Sequence, residues 1–312
     1  MNEIRVGVDI GGTHIKYAFI KENEIIYKNK LDTPKKDIIE FIFEQINISL
    51  EKENINYDDV LSISLTIPGI IFKTGNATSV NLGWDNYPAL QEAKEIFKNK
   101  KIAILNDAKA AVYGEYVHGL KMKKPNVLMY TIGTGIGSGT IINKQLYLGN
   151  NTGMVGEVHG GSFQNKKDCK CGQGGCVEAV SGAQNIERIL NERKNELRLK
   201  DSELLKKEKV SIKDLKNEIL SDNQQIYDIF YENLLPLTDH MATMIHMFDF
   251  DVIVIGGGVS KLGDYILKII EKQIKSKILK PYWEALDLRL AKLQNDAGII
   301  GVVEYLKNNL EG

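Results

Sequence analysis

The chain has 312 residues, 43% of them apolar and 26% charged, the balance of an ordinary soluble globular protein with room for two domains and a sizeable core. A net charge of −1 and a pI near 6.6 leave no electrostatic footprint for nucleic acid or an anionic membrane surface. No apolar run approaches the ~18 residues of a membrane span, and the strand-and-glycine pattern at the start is no signal peptide, so the cytoplasm is the expected compartment.

Ile4, Val6, Val8 and Ile10 alternate with Arg5, Gly7 and Asp9, a period-2 pattern that predicts a strand. Gly11-Gly12 turns the chain, Ile15–Ile20 returns as a second strand, and Glu24-Ile-Ile-Tyr27 follows the turn at Asn23 as a third. Gly11, Gly12 and Thr13 sit where a hairpin tip could offer backbone N–H groups to an anion, and Asp9 could reach a Mg²⁺ carried by that anion. Taken alone, the segment fits a plain β-turn as well. Apolar residues at helical spacing predict a helix over 36–52, and Val60–Ile67 reads as a strand that ends at Pro68-Gly69. Asn81-Leu-Gly-Trp84 is a polar loop carrying an aromatic, Tyr87 to Phe97 resumes helical spacing, and Ile102–Leu105 is a short buried strand. Asn106-Asp107 then opens the helix Ala108-Lys-Ala-Ala-Val-Tyr-Gly-Glu115. Asp107 at that junction is an N-cap or, because ligand sites of α/β proteins form at the carboxyl ends of strands, a carboxylate that takes a proton from an attacking hydroxyl. Asn106 has both a donor and an acceptor for neighbouring hydroxyls.

Val127–Ile132, Gly133-Thr-Gly-Ile-Gly-Ser-Gly139 and Thr140–Asn143 repeat the earlier order of strand, glycine tip, strand and turn, with Ile10-Gly11 aligning on Ile132-Gly133. Two related halves, each bringing a glycine hairpin to a shared cleft, could clamp a polyphosphate. Neither copy fits Gly-x4-Gly-Lys-Ser/Thr, so neither is a P-loop. Further on, residues 187–216 are over half charged and read as solvated surface helices. Tyr227 to Phe248 is a long helix whose His240 and His246 read as packing residues. Val252–Ile255 feeds Gly256-Gly-Gly-Val-Ser260, where Lys261 replaces the third glycine of a dinucleotide fingerprint. A glycine loop that lets a flat adenine ring approach the backbone fits better. Asp296 begins a closing helix rich in small residues, expected to pack back against the first half.

All three cysteines, Cys169, Cys171 and Cys176, fall in one short stretch, and His159 stands ten residues before the first. Three thiolates and one imidazole suit tetrahedral Zn²⁺ and leave no position for a catalytic water, so the site is expected to be structural. The competing reading is three ordinary cysteines with one disulfide. An odd count and C-x-C-x4-C clustering favour metal. Glu157 and Glu178 flank the stretch.

These segments together resemble the ROK family of sugar kinases, a branch of the actin-like ATPase fold. The resemblance rests on Asp9-Ile-Gly-Gly-Thr13 with Lys16, Asn106-Asp107-Ala108 with Gly114-Glu115, and Gly133–Gly139. It rests also on Gly156-Glu157, the cysteine box through Glu178, and Gly256–Ser260, and it spans the chain except roughly 187–225. It implies duplicated α/β (ribonuclease H-like) domains around a central cleft: residues 1–118 with the closing helix 296–311, and 119–295 with the zinc loop 159–176. It implies ATP-dependent phosphorylation of a hexose at the 6-hydroxyl, glucose first and N-acetylmannosamine as the alternative, with Mg²⁺ and structural zinc. Asp107 would be the general base. Asn106, Glu157, His159 and Glu178 would bind the sugar, with Gly69 and Asn81 as further candidates. Asp9, Gly11, Gly12, Thr13, Lys16, Thr134 and Gly135 would hold the ATP phosphates and Mg²⁺, and Gly257 and Gly258 would lie by the adenosine. Family members commonly read Glu-x-Gly-His, whereas Glu157-Val158-His159 brings the histidine one place early. The interval from His159 to Cys169 agrees with the family and keeps His159 as a zinc ligand. A homodimer or homotetramer is expected from the same resemblance. A sugar-responsive repressor of the family would need an N-terminal helix-turn-helix, for which no room precedes Ile4, and an actin-like assembly ATPase would not need the cysteine box.

Overall fold

A computed structural model describes residues 3–160, 168, 169 and 171–309; the middle of the zinc loop (161–167 and 170) and the last residues of the closing helix lie outside the described residues. The period-2 start forms an antiparallel meander of β1 (Ile4–Ile10), β2 (His14–Lys21) and β3 (Glu24–Asp32). The helix α1 (Ile38–Lys52) buries Ile38, Ile39, Ile42, Ile46 and Leu50 in one core with Val6, Val8, Ile63 and Leu65. β4 (Val60–Ile67) pairs with β1 in parallel. Three short strands, β5 (Ile70–Ile71), β6 (Ala77–Ser79) and β7 (Trp84–Tyr87), make a small separate sheet ahead of α2 (Ala89–Phe97). β8 (Lys101–Asn106) then adds in parallel to β4 and leads directly into α3 (Asp107–Gly114).

The repeat in the sequence is a repeat of topology. β9 (Val127–Ile132), β10 (Ile136–Ile142), β11 (Gln145–Leu146), β12 (Val252–Gly256) and β13 (Asp287–Leu290) form a second sheet. Its order, β11-β10-β9-β12-β13, matches the first sheet's β3-β2-β1-β4-β8 position for position. In both sheets the first strand pairs in parallel with the fourth and the fourth with the fifth. Between β11 and β12 lie α4 (Val177–Ser181), α5 (Ala183–Glu192), α6 (Ser202–Lys206), α7 (Lys216–Leu220) and α8 (Gln224–Phe248). α9 (Asp264–Lys275) and α10 (Lys280–Ala285) follow β12, and α11 (Ala297–Asn309) closes the described chain.

The chain divides into two compact units: residues 1–123, 139–155 and 295–312 in one, and 124–138 with 156–294 in the other. In the first unit α11 lies directly on α3. A Cβ on Gly301 would sit 1.8 Å from the carbonyl oxygen of Ala110, and one on Gly114 would sit 2.5 Å from that of Ala297. Only glycine at both places allows the two backbones to touch.

In the second unit the charged stretch 187–216 differs from the surface helices its composition predicts. Leu190, Leu197, Leu204, Val210, Ile212 and Leu215 are buried, so each short helix turns an apolar side inward. Glu218 is fully buried and accepts hydrogen bonds from the Asp201 backbone N–H (2.7 Å) and the Asn223 side-chain amide (2.6 Å). The carboxylate serves as an internal cap that ties this segment to the start of α8.

The core of the same unit contains a Tyr130–His240 pair, 2.9 Å from hydroxyl oxygen to Nδ1, joining β9 to α8. Burial lowers the pKa of His240. A depressed folded-state pKa means the native state prefers the neutral ring, so its stabilisation is fully present above the unfolded value of about 6.5 and is lost as pH falls. Thermal unfolding followed from pH 7.5 to 5 should show a falling midpoint below pH ~6.5. The His240→Gln variant should lack the part of that slope due to His240, and an identical slope in both proteins would contradict the assignment.

Candidate active site and metal centre

In the first unit, the three parallel strands β1, β4 and β8 end side by side, and their carboxyl ends carry the predicted residues. Asp9 pairs in register with Thr66 of β4, and Ile67 with Asn106 of β8. Lys16 reaches back from β2 to place its ammonium 3.3 Å from an Asp9 carboxylate oxygen, and the Thr66 hydroxyl donates to the other oxygen at 2.8 Å. Thr66 had no local signal in the sequence; only the register of β1 on β4 makes it the residue that orients Asp9. Gly12 and Thr13 are exposed at the hairpin tip, and a Cβ on Gly12 would meet Asn81 at 3.0 Å. The first glycine tip and the Asn81 loop are therefore in contact.

Asn106, not Asp107, caps α3. Its side-chain oxygen accepts from the N–H groups of Ala108 (3.0 Å) and Lys109 (3.1 Å), and its amide donates to the Gly69 carbonyl at 3.0 Å. Gly69 has φ +115° and its missing Cβ would lie 2.3 Å from the Thr78 carbonyl oxygen, so position 69 admits only glycine. Asp107 is the first helical residue and is exposed, with one carboxylate oxygen 2.9 Å from the Ala108 N–H. On the next turn's buried side, Lys109 is 1% exposed and its ammonium donates to the carbonyl of Val155 at 2.6 Å. A lysine at such burial needs a partner for its charge. Here it fixes α3 to the residue immediately before Gly156-Glu157, a role invisible without the tertiary structure.

In the second unit, β9 and β12 end in parallel, bringing the second glycine tip and the Gly256–Ser260 loop together. Gly257 has φ +80°, and a Cβ there would lie 2.5 Å from the Ile132 carbonyl oxygen; Gly258 faces open space. Thr134 is exposed at the tip and Gly135 lies against Glu178, whose carboxylate would be 2.3 Å from any Cβ at Gly135. One oxygen of Glu178 accepts from the Ile136 N–H at 2.8 Å, and the other lies 3.6 Å from the Cys169 sulfur. The expected glycine tip is shorter than its sequence, because β10 begins at Ile136 and takes Gly137 and Gly139 into the strand.

His159, Cys169, Cys171 and Cys176 converge so that their ligand atoms all lie within 4.8 Å of one another. The Cys171–Cys176 sulfur separation is 3.5 Å, and Cys169 Sγ lies 3.7 Å from His159 Nδ1. A tetrahedral ion with Zn–S bonds of about 2.3 Å requires S···S edges of about 3.8 Å, so the four donors fit zinc. The same sulfur separation is far from the ~2.05 Å of a disulfide, and all three cysteines are free thiols. Burial pushes the Cys176 thiol up to about 12 and raises Cys169. For Cys171 burial acts upward too, but hydrogen bonds from Gln173 and the neighbouring thiols outweigh it and its pKa falls. Cys169 and Cys176, whose pKa values are raised, become thiolates readily only beside a cation, which is what a bound Zn²⁺ would supply. The imidazole presents Nδ1 to the sulfurs, while Nε2 lies 4.0 Å from a Glu157 carboxylate oxygen. With the histidine one place early, the ring lies between the cluster and the Glu157 carboxylate, at ion-pair rather than hydrogen-bond distance from the latter.

Two matching sheets, each ending in a glycine tip, define an actin-like α/β architecture, and comparison with known proteins supports the same class. The ROK family model matches residues 5–309, and the chain belongs to the ROK family. It is 34% identical to a glucokinase of Halalkalibacterium halodurans over 98% of this chain and 96% of that protein. It is 26% identical to an N-acetylmannosamine kinase of Haemophilus influenzae over 98% of this chain and 96% of that protein. Among solved structures, a ROK family glucokinase from Streptomyces griseus in complex with glucose and AMPPNP superposes with a TM-score of 0.81 at 24% identity, covering 98% of this chain and 100% of that one. No helix among the described residues is long and apolar enough to cross a membrane.

Purified protein should carry about one zinc per chain, the stoichiometry of one closed four-ligand site. Cys171→Ser should lose most of it and lower the unfolding midpoint. Metal analysis finding no zinc in protein prepared without chelator would refute the assignment.

Proposed function

We propose that the protein is an ATP-dependent hexose kinase that phosphorylates the 6-hydroxyl, with glucose as the preferred sugar. The observation that carries this reading is the placement of Asp107: an exposed carboxylate on the first helical residue of α3, at the end of a parallel strand, with Asn106 fixing the helix start. The similarity to a glucokinase at 34% identity over nearly the full chain is its second support.

In this reading Asp107 accepts the proton of the 6-hydroxyl as that oxygen attacks the γ-phosphorus, and the carboxyl group then releases the proton to water. Asn106, whose side-chain oxygen is committed to the helix cap, contributes its amide side and holds Gly69 and its loop at the sugar. Asn81, Glu157 and Glu178 accept hydrogen bonds from the other hydroxyls, and His159 assists through Nε2. Gly11 shapes the first tip so that Gly12 and Thr13 turn their backbone N–H groups to phosphate oxygens, Thr134-Gly135 do the same from the second, and Gly257 and Gly258 leave a flat surface for the adenosine. Asp9, held by Lys16 and Thr66, is the carboxylate available to Mg²⁺, which when bound neutralises charge on the transferring phosphoryl group. Zinc takes no part in the chemistry; the cysteine cluster keeps Glu157, His159 and Glu178 in place. Most of the catalytic effect then comes from positioning and charge neutralisation rather than covalent chemistry.

The Asp107→Asn variant should keep sugar affinity within a few-fold, with kcat lower by about 10²–10⁴, the range for loss of a general base. Turnover within an order of magnitude of wild type would remove Asp107 from the mechanism.

A further inference from the structure

A glycine tip that binds a polyanion must point its N–H groups at the ligand and turn its carbonyls away, because a carbonyl oxygen near phosphate repels it. In both tips of this chain the carbonyls are held from behind, by different means. In the second tip the backbone N–H of Ala183 donates to the Gly133 carbonyl at 2.8 Å and that of Gln184 to the Thr134 carbonyl at 3.4 Å, both from the start of α5. In the first tip the donors belong to one residue. The Thr33 hydroxyl donates to the Gly11 carbonyl at 2.7 Å, and the Thr33 N–H donates to the Thr13 carbonyl at 3.0 Å. Gly11 and Gly133 are equivalent in the repeat, and each also donates its own N–H across its turn, to His14 at 3.0 Å and to Gly135 at 2.8 Å. The same carbonyl is thus held in each copy, by a helix N-terminus in one and by a single side-chain hydroxyl in the other.

We propose that Thr33 is the positioning residue of the first phosphate tip: its hydroxyl holds the Gly11 carbonyl away from the nucleotide, so that Gly12 and Thr13 face the ATP phosphates. Thr33 touches no ligand in this account and acts only through the orientation of the Gly11 peptide. Because β3 ends at Asp32, the residue that clamps the tip sits just beyond the third strand of the meander. The clamp rests on the reading of Gly11–Thr13 as a phosphate site.

Thr33→Val keeps the side-chain shape and removes the hydroxyl, whereas Thr33→Ser keeps the hydroxyl. Loss of one hydrogen bond of ordinary strength should raise the Kd for MgATP, measured by calorimetry, by about five-fold or more in the valine variant. The Kd for glucose and kcat at saturating ATP should each stay within about two-fold, and the serine variant should bind MgATP like wild type. If the valine variant does not fold, Thr33→Ala against Thr33→Ser makes the same comparison. An unchanged MgATP Kd without the hydroxyl, or an equal rise in both Kd values, overturns the clamp. Gly12→Val tests the phosphate site itself. If it weakens MgATP binding while Thr33→Val does not, the clamp alone fails; if neither variant weakens it, the phosphate-site reading fails as well.

Discussion

The crossing of α3 and α11 is the constraint on which the first unit depends. With glycine at 114 and 301, the two helix backbones touch, and no side chain can slide between them. Gly7 continues the same seam, since a Cβ there would meet Ile299 at 2.7 Å, and Ser62 and Ser64 of β4 are completely buried. Such close contact leaves α3 little room to shift against α11. The start of α3 inherits that rigidity. Asn106 then passes it on, with its oxygen spent on the helix and its amide on Gly69, while Lys109 passes it to Val155. Asp107 is therefore an exposed carboxylate on a helix held at both points, which suits the general-base role proposed for it.

In the second unit the corresponding feature is a cluster of metal-ligating side chains. Its Cys and His donors lie within 4.8 Å of one another, a concentration of soft ligands that has no packing rationale. Of the three thiols, Cys176 is buried, Cys169 half-buried and Cys171 exposed. A four-coordinate ion would supply the missing cross-link. The cluster lies between Glu157 and Glu178 in the sequence, and Glu178 accepts a hydrogen bond from the N–H of Ile136 at the end of the second glycine tip. Cluster, carboxylates and tip are thus one connected network within this unit.

Much of this was legible in the sequence where local chemistry is decisive. A period-2 strand ending in Gly11-Gly12 marked the first tip, the recurrence of strand, glycine tip and strand marked the second, and the two related halves it implied are two sheets of equal topology. The cysteine box and its histidine were legible because few other functions need three thiols so closely spaced. What was not legible depended on tertiary neighbours. Asn106 and Asp107 can both cap a helix, and only the fold decides that asparagine does so. Gly137 and Gly139 look like part of the tip, yet Gly139 serves to let β10 approach α3, since a Cβ would lie 2.4 Å from Val112. The stretch 187–216 looked solvated because charge dominates its composition, while its leucines, spaced to one side of short helices, supply a core. Thr33, Thr66 and Lys109 carry no motif and acquire meaning only from what they touch.

The central claim is phosphoryl transfer from ATP to a hexose hydroxyl. Its most direct measurement is ADP release with MgATP and glucose, N-acetylmannosamine, N-acetylglucosamine, mannose, allose or fructose, followed by phosphorus–proton NMR of the product. The account predicts one ADP per sugar phosphate, the highest kcat/KM with glucose, and phosphorus coupled to the C6 protons. No sugar-dependent ADP release with any of the six, or a phosphate on another hydroxyl, would contradict it.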